Sequence, residues 1–172
     1  MTELLLVRHG ETDWNAEGRL QGHTDRPLSD VGRRQAERLA DELAGERLDA
    51  VYASDLARAR ETAEVVAGRL GLPVVLDPDL REKHWGTWEG LTPTERATVE
   101  HVGESSAEHR ERTLRALRRI AERHPGGRVL VITHGGSLRR VQAAALGAAL
   151  PVVENCGRWA VHCEDGEFRA TR

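Results

Sequence analysis

Two short apolar runs in this chain end in the same way, and that shared ending limits what the chain can fold into. Leu4-Leu5-Leu6-Val7 runs into Arg8-His9-Gly10, and Val129-Leu130-Val131-Ile132 runs into Thr133-His134-Gly135. Each run is short, branched and uncharged, the pattern of a strand buried on both faces, and such strands belong to parallel sheets covered by helices. The His-Gly step that follows lets the chain turn and leaves room for a ligand beside the backbone. In open α/β sheets, ligands bind in the crevice outside the carboxyl ends of the strands. Two imidazoles delivered there from distant parts of the chain point to one site; taken singly, each is equally readable as an unrelated surface histidine.

The segments between these runs alternate in the same sense. Residues 10–28 are polar and Gly-rich, a loop long enough to carry function. Ser29 reads as the N-cap of a helix over Asp30–Ala44 with Gly45 as its stop and Val31, Ala36, Leu39, Ala40 and Leu43 as its apolar stripe. A strand over Asp49–Ala53, a helix over Leu56–Leu70 closed by Gly71, and a strand over Pro73–Leu76 follow. Thr92-Pro93-Thr94-Glu95 and Ser105 with Glu108 are capping-box patterns, the second ahead of a long amphipathic helix to about His124. After the strand Arg128–Thr133 come a helix over Ser137–Leu146 and a hairpin of Gly157–Cys163 with Glu167–Ala170. The expected architecture is a three-layer α/β sandwich, its largely parallel central sheet covered by helices on both faces, in one domain over residues 1–172.

Composition narrows the partners. With 39% hydrophobic and 31% charged residues the chain reads as an ordinary globular protein. A net charge of −3 disfavours nucleic acid or an anionic membrane as the main partner. Cys156 and Cys163 match no zinc spacing and read as buried free thiols of a reducing compartment. No basic leader pattern or long apolar run is present, so a cytoplasmic protein, monomeric or homodimeric, is expected.

The residue types around the two His-Gly steps suit anion chemistry. Arg8 offers a planar fork for phosphate or carboxylate, and His9 can act as nucleophile, base or ligand. No H-E-x-x-H helix or Cys pair accompanies the histidines, so neither a metal nor another cofactor is expected. Arg58 lies where the second strand gives way to its helix, whose N-terminus would supply free N–H groups. Glu82 precedes a Trp/Gly-rich loop and would serve as a proton donor if partly desolvated at the same rim. Plainer readings stand beside these: Glu82 paired with Arg81, Arg58 paired with Asp55 or Glu61, Trp85 and Trp88 as packing residues, and the arginines of the Arg110–Arg123 helix paired with their own glutamates.

Taken together, Arg8-His9-Gly10-Glu11-Thr12 with Trp14-Asn15 and Gln21-Gly22, Asp25-x-Pro27-Leu28, Ser54-Asp55-Leu56-x-Arg58-Ala59, Leu80-Arg81-Glu82 with Gly86-x-Trp88-Glu89-Gly90, Gly103-Glu104-Ser105 and Thr133-His134-Gly135-Gly136 resemble, in order, the blocks of the histidine phosphatase superfamily, also called phosphoglycerate-mutase-like. The resemblance implies that His9 is a nucleophile forming a phosphohistidine. It implies that Arg8, Arg58 and His134 hold the phosphoryl oxygens, helped by Asn15, Gln21, Gly22 and Gly135, and that Glu82 is the acid and base. The expected activity is metal-independent hydrolysis of a small phosphomonoester. The segment from Gly90 to Gly103 is short where the family's mutases carry long insertions, which favours access of water. The alternatives are a cofactor-dependent phosphoglycerate mutase and a protein-phosphohistidine phosphatase, and the sequence does not choose the substrate.

Overall fold

The structure is a computed structural model that describes residues 1–148 and 150–171. Strand β1 (Thr2–Arg8) is central, with β4 (Arg128–Thr133) parallel on one side and β5 (Arg158–Glu164) antiparallel on the other. Beyond β4 lie β2 (Ala50–Ala53) and β3 (Val74–Leu76), both parallel, and β6 (Glu167–Ala170) pairs antiparallel with β5. The order β3-β2-β4-β1-β5-β6 brings the two His-bearing strands side by side in the middle of the sheet. Their register, Val7 opposite Ile132 and Arg8 opposite Thr133, places His9 and His134 level at the carboxyl edge.

Alternation along the strands divides the core. Leu5, Val7, Val51, Ala53, Leu130 and Ile132 face α2 (Asp30–Leu43) and α3 (Ala57–Leu70). Leu4, Leu6, Val129 and Val131 face α5 (Ser106–Arg123) and α6 (Gly135–Leu146), through Leu114, Leu117, Ile120 and Leu138. Full burial of one such side chain stabilises by about 1.5–3 kcal/mol, so these two layers hold the sheet and set where its edge lies. The expected three-layer sandwich is the observed one. Ser29, Thr92 and Ser105 cap their helices as anticipated, the last two in reciprocal capping boxes. Among the described residues, no helix is long and apolar enough to cross a membrane.

Local departures have physical causes. Val31 is exposed, because the buried face of α2 passes through Gly32, Ala36, Leu39, Ala40 and Leu43 instead. Two positions before the expected start, α6 begins at Gly135 directly after His134, so the strand hands its histidine straight to a helix N-terminus. The 10–28 loop contains a one-turn helix, α1 (Asp13–Ala16), capped by Thr12. A second short helix, α4 (Pro93–Arg96), lies between the tryptophan loop and α5. Cys163 is buried as expected, whereas Cys156 is only partly so; both are free.

Candidate active site

At the carboxyl edge of β1 and β4 the rings of His9 and His134 stand edge to face, 5.2 Å apart between centroids. The His9 backbone is fixed on three sides. Its N–H donates to Thr133 O (3.0 Å), its carbonyl accepts from Asn155 Nδ2 (3.0 Å), and the next N–H, of Gly10, donates to Thr62 Oγ1 on α3 (3.0 Å). Its ring is fixed as well. Nδ1 lies 2.6 Å from Gly10 O, and since a carbonyl can only accept, Nδ1 carries the proton and Nε2 the lone pair. Burial, reinforced by the charges of Arg58 and Arg8, holds the His9 pKa well below the ordinary histidine value, so the ring is neutral near pH 7.

His134 is wholly buried, and burial together with the same arginines pushes its pKa down too. Neither of its ring nitrogens has a hydrogen-bond partner among the described residues, and neither does Nε of Arg8 or of Arg58. Leaving a buried polar group unpaired costs about 1–3 kcal/mol. Four such atoms, on His134 and on the two arginines whose charges act on both histidines, represent a large share of a typical folding margin of about 5–15 kcal/mol, which marks a site built for a ligand rather than for stability. Three of the other guanidinium nitrogens are positioned by backbone carbonyls. Arg58 donates to Gly22 O (2.7 Å) and Thr24 O (3.2 Å), and Arg8 donates to Val153 O (2.9 Å). Arg58 therefore does not pair with Asp55 or Glu61; it reaches the loop before α2. Burial lowers its pKa to about 10, which leaves it cationic at neutral pH.

Arg8, His9 and Arg58 line a cavity of about 450 Å³ together with Asn15, Gln21, Gly22, Glu82 and Gly135. Asn15 Oδ1 accepts from Thr12 N–H (3.1 Å) and from Asn155 Nδ2 (3.3 Å), and Gln21 Oε1 accepts from Thr12 Oγ1 (2.9 Å). Each oxygen is thus held by protein, which leaves the two amide NH₂ groups as the donors available to a ligand. Gly22 sits at φ +57, where a side chain would be strained and would also overlap the Glu89 carboxylate. That carboxylate accepts from the N–H groups of His23, Thr24 and Trp85, tying the loop before α2 to the tryptophan loop.

Glu82 is fixed at both ends. Its Oε2 accepts from Gly136 N–H at the start of α6 (2.8 Å), its Oε1 from Lys83 N–H (2.8 Å). A Cβ on Gly136 would overlap the carboxylate, so the close approach requires glycine there. The backbone carbonyl of Glu82 accepts from Arg112 (3.1 Å) and is bonded by His23 Nε2 (2.9 Å). Arg81 takes no part, because it forms a two-pronged pair with Asp55 at 2.7 and 2.6 Å.

Two expectations are corrected here. The helix start beside the site is that of α6, while the first N–H groups of α3 turn elsewhere, Ala57 N–H donating to Asp25 Oδ1 (2.7 Å). Nor are the arginines of α5 paired within their helix: Arg112 binds Glu104 and three carbonyls, and Arg119 binds Asp77 and Asp79. Sequence reasoning missed Arg96 and Arg139, which line the cavity, and His109, which lies against Glu82. Trp85 lines the cavity while also stacking on Trp88. Among the described residues, no three His, Cys, Asp or Glu side chains converge as a metal-binding set.

An α/β sheet that presents a neutral, oriented imidazole and two buried arginines beside an anchored carboxyl group defines a phosphoryl-transfer class of site. Comparison with known proteins places it further: residues 4–172 match the histidine phosphatase superfamily (branch 1), and the chain belongs to that family and is a phosphatase of its kind. It is 41% identical to phosphoglycerate mutase-like protein 4 of Arabidopsis thaliana, over 87% of this chain and 74% of that one. It is 40% identical to a metal-independent phosphoserine phosphatase of Arabidopsis thaliana, over 98% and 79%. The solved structure of Bacillus stearothermophilus YhfR superposes with a TM-score of 0.90 at 35% identity, covering 99% of this chain and 96% of that one.

Proposed function

We propose that this cavity hydrolyses small phosphomonoesters in two steps through His9, without a metal. The observation that carries the reading is the Nδ1–H bond from His9 to Gly10 O, which leaves the Nε2 lone pair beside Arg8, Arg58 and His134. In the first step Nε2 attacks phosphorus, the bond to the ester oxygen breaks, and the Glu82 carboxyl gives that oxygen a proton. In the second, water attacks the phosphohistidine, Glu82 takes its proton back, and phosphate leaves with His9 neutral again. Arg8, Arg58 and a proton-bearing nitrogen of His134 meet the charge on the non-bridging oxygens, joined by the amides of Asn15 and Gln21 and by N–H groups of Gly22 and Gly135. Fixed donors of this kind are the main catalytic device open to phosphoryl transfer.

Substrate preference follows from the rest of the lining. Arg139 and Arg96 make no ion pair among the described residues, and Arg96 lies over the Trp88 ring, 5.6 Å from its centroid. Two such cations beyond the phosphoryl pocket favour a leaving group that carries its own negative charge, as phosphoserine does in the relative named for it. The test is phosphate release with and without a chelator, from acidic and neutral alkyl phosphates. Chelator-insensitive release, label trapped on His9 as acid-labile phosphoryl, and a higher kcat/KM for the acidic esters are expected. Formation of 2-phosphoglycerate from 3-phosphoglycerate with a bisphosphoglycerate primer, and no free phosphate, would make the chain a mutase instead.

A further inference from the structure

Against Glu82 lies a third buried histidine, close enough to His134 for the two rings to act on each other's charge. His109 is on α5 with no exposed surface, its Nε2 3.0 Å from Ser137 Oγ and 3.6 Å from Glu82 Oε1. Its Nδ1 has no partner among the described residues, and Ser137 Oγ also lies 3.4 Å from Arg81 O. If Nδ1 carried the proton, an N–H donor would be buried unpaired. With the proton on Nε2, it faces both an oxygen acceptor and a carboxylate, and the serine proton can turn to the Arg81 carbonyl. The second arrangement leaves only a lone pair unmet and is the favoured tautomer.

The titratable and charged groups around His109 are Glu82 ahead of the tryptophan loop, Glu104 ahead of α5, Arg112 on α5, Arg140 on α6 and the neutral ring of His134 at the start of α6. Arg112 is taken up by Glu104 and by backbone carbonyls, and Arg140 donates to Ser106 Oγ (3.2 Å). Burial pulls the His109 pKa down to about 4, so at working pH the ring acts as a neutral N–H donor rather than as a cation.

We propose that His109 is a positioning residue for Glu82, its Nε2–H shared between Ser137 Oγ and Glu82 Oε1 and turning to the carboxylate whenever Glu82 is ionised. This rests on the reading of Glu82 as the proton donor and acceptor of the reaction. Each turnover converts that carboxyl group from acid to anion and back. A donor able to swing between two acceptors steadies the anion without a permanent charge that would forbid the acid form.

The experiment is the pH dependence of kcat/KM for an alkyl phosphate, β-glycerophosphate, in the full chain. The basic limb is read because the substrate's own titration falls on the acidic side. Loss of a hydrogen bond to a carboxylate moves the fall in activity upward by about one pH unit in His109→Leu. His109→Gln, which retains an N–H donor, brings the limb back toward the parent. Carboxyl ¹³C shifts of labelled glutamate give a second measurement independent of turnover, with the Glu82 transition displaced upward in the Leu variant. His109→Met takes the place of Leu if that variant does not fold.

A basic limb and a ¹³C transition both unmoved in the Leu and Met variants would overturn the proposal. So would an equal rate loss from His109→Leu in a Glu82→Gln background, which would reveal a packing role alone. The acid reading of Glu82 is tested apart from this by Glu82→Gln in otherwise intact protein. Slower alkyl turnover with little change for p-nitrophenyl phosphate sustains it, and equal losses on both substrates overturn it.

Discussion

His9 and His134 leave adjacent parallel strands through the same His-Gly step, yet their surroundings differ. His9 opens a loop, and its ring is bonded through Nδ1 to Gly10 O, which fixes the tautomer. His134 opens α6 as its N-cap, makes no side-chain capping bond, and has neither ring nitrogen bonded among the described residues. An imidazole with one nitrogen tied to a carbonyl must offer its other nitrogen as a lone pair, which is the form a nucleophile needs. One with both nitrogens unbonded can place its proton wherever an anion requires it. The same local sequence therefore yields a group suited to attack and a group suited to donation, and the difference comes from what each strand runs into.

That asymmetry is broken or sharpened first by the two alanine variants. His9→Ala is expected to reduce phosphate release by roughly four orders of magnitude or more, since nothing remains to carry the covalent step. Circular dichroism should stay that of the parent, because the His9 backbone keeps its bonds to Thr133 and Asn155. His134→Ala removes a donor from the transferred group and is expected to cost about 10²–10³ in kcat. Labelled substrate quenched with the His134 variant should still mark His9. A phosphoryl group trapped on residue 134 in the His9 variant would show that the two positions are interchangeable.

A second test bears on what the pair shares. Both rings, with His109 and the half-buried His23, have pKa values lowered mainly by burial. The unfolded chain thus binds more protons than the folded one below about pH 6.5, and stability falls as the pH drops through that value. It is fully present above it. Each such group contributes a slope of up to about 1.4 kcal/mol per pH unit between roughly pH 6.5 and 5, a window above the range in which carboxylates titrate. Urea unfolding at a series of pH values measures the slope, and replacing His134 by Ala should reduce it by one group's share. A flat profile between pH 7 and 5 would mean that the rings are protonated in the folded state.

How much of this could be read beforehand depended on range. The strands, the caps at Ser29 and Ser105 and the helix end at Gly71 are written in neighbouring residues, and so is the delivery of two histidines to one sheet edge. The nine residues singled out, from Arg8 to Gly135, come together around one point, because the strand and helix ends that carry them are fixed by apolar periodicity. What was not legible is pairing across distance. Arg112 holds the carbonyls of residues 79, 81 and 82 from thirty or so positions away, and Arg81 prefers Asp55 to its neighbour. His109 lies on the buried face of α5, but nothing in its neighbouring residues signals that it faces Glu82. The helix start beside the site was misassigned for a similar reason, since only the fold shows that Asp25 covers that of α3.

The smallest expected effect probes how the His9 exit is held. Thr62 Oγ1 accepts from Gly10 N–H and donates to Arg58 O one turn back, at 3.0 and 2.7 Å, linking the turn after His9 to the helix that carries Arg58. Thr62→Val keeps the shape and leaves a buried N–H unpaired, at a cost of about 1–3 kcal/mol in unfolding free energy. Its effect on kcat should stay within about tenfold, because the ring's own bond to Gly10 O survives and only the turn is loosened. A loss as deep as that of His9→Ala would mean that the hydroxyl, rather than the Nδ1 bond, sets the imidazole in its attacking pose. The contrast between the two strand exits would then belong to α3 and not to the turn itself.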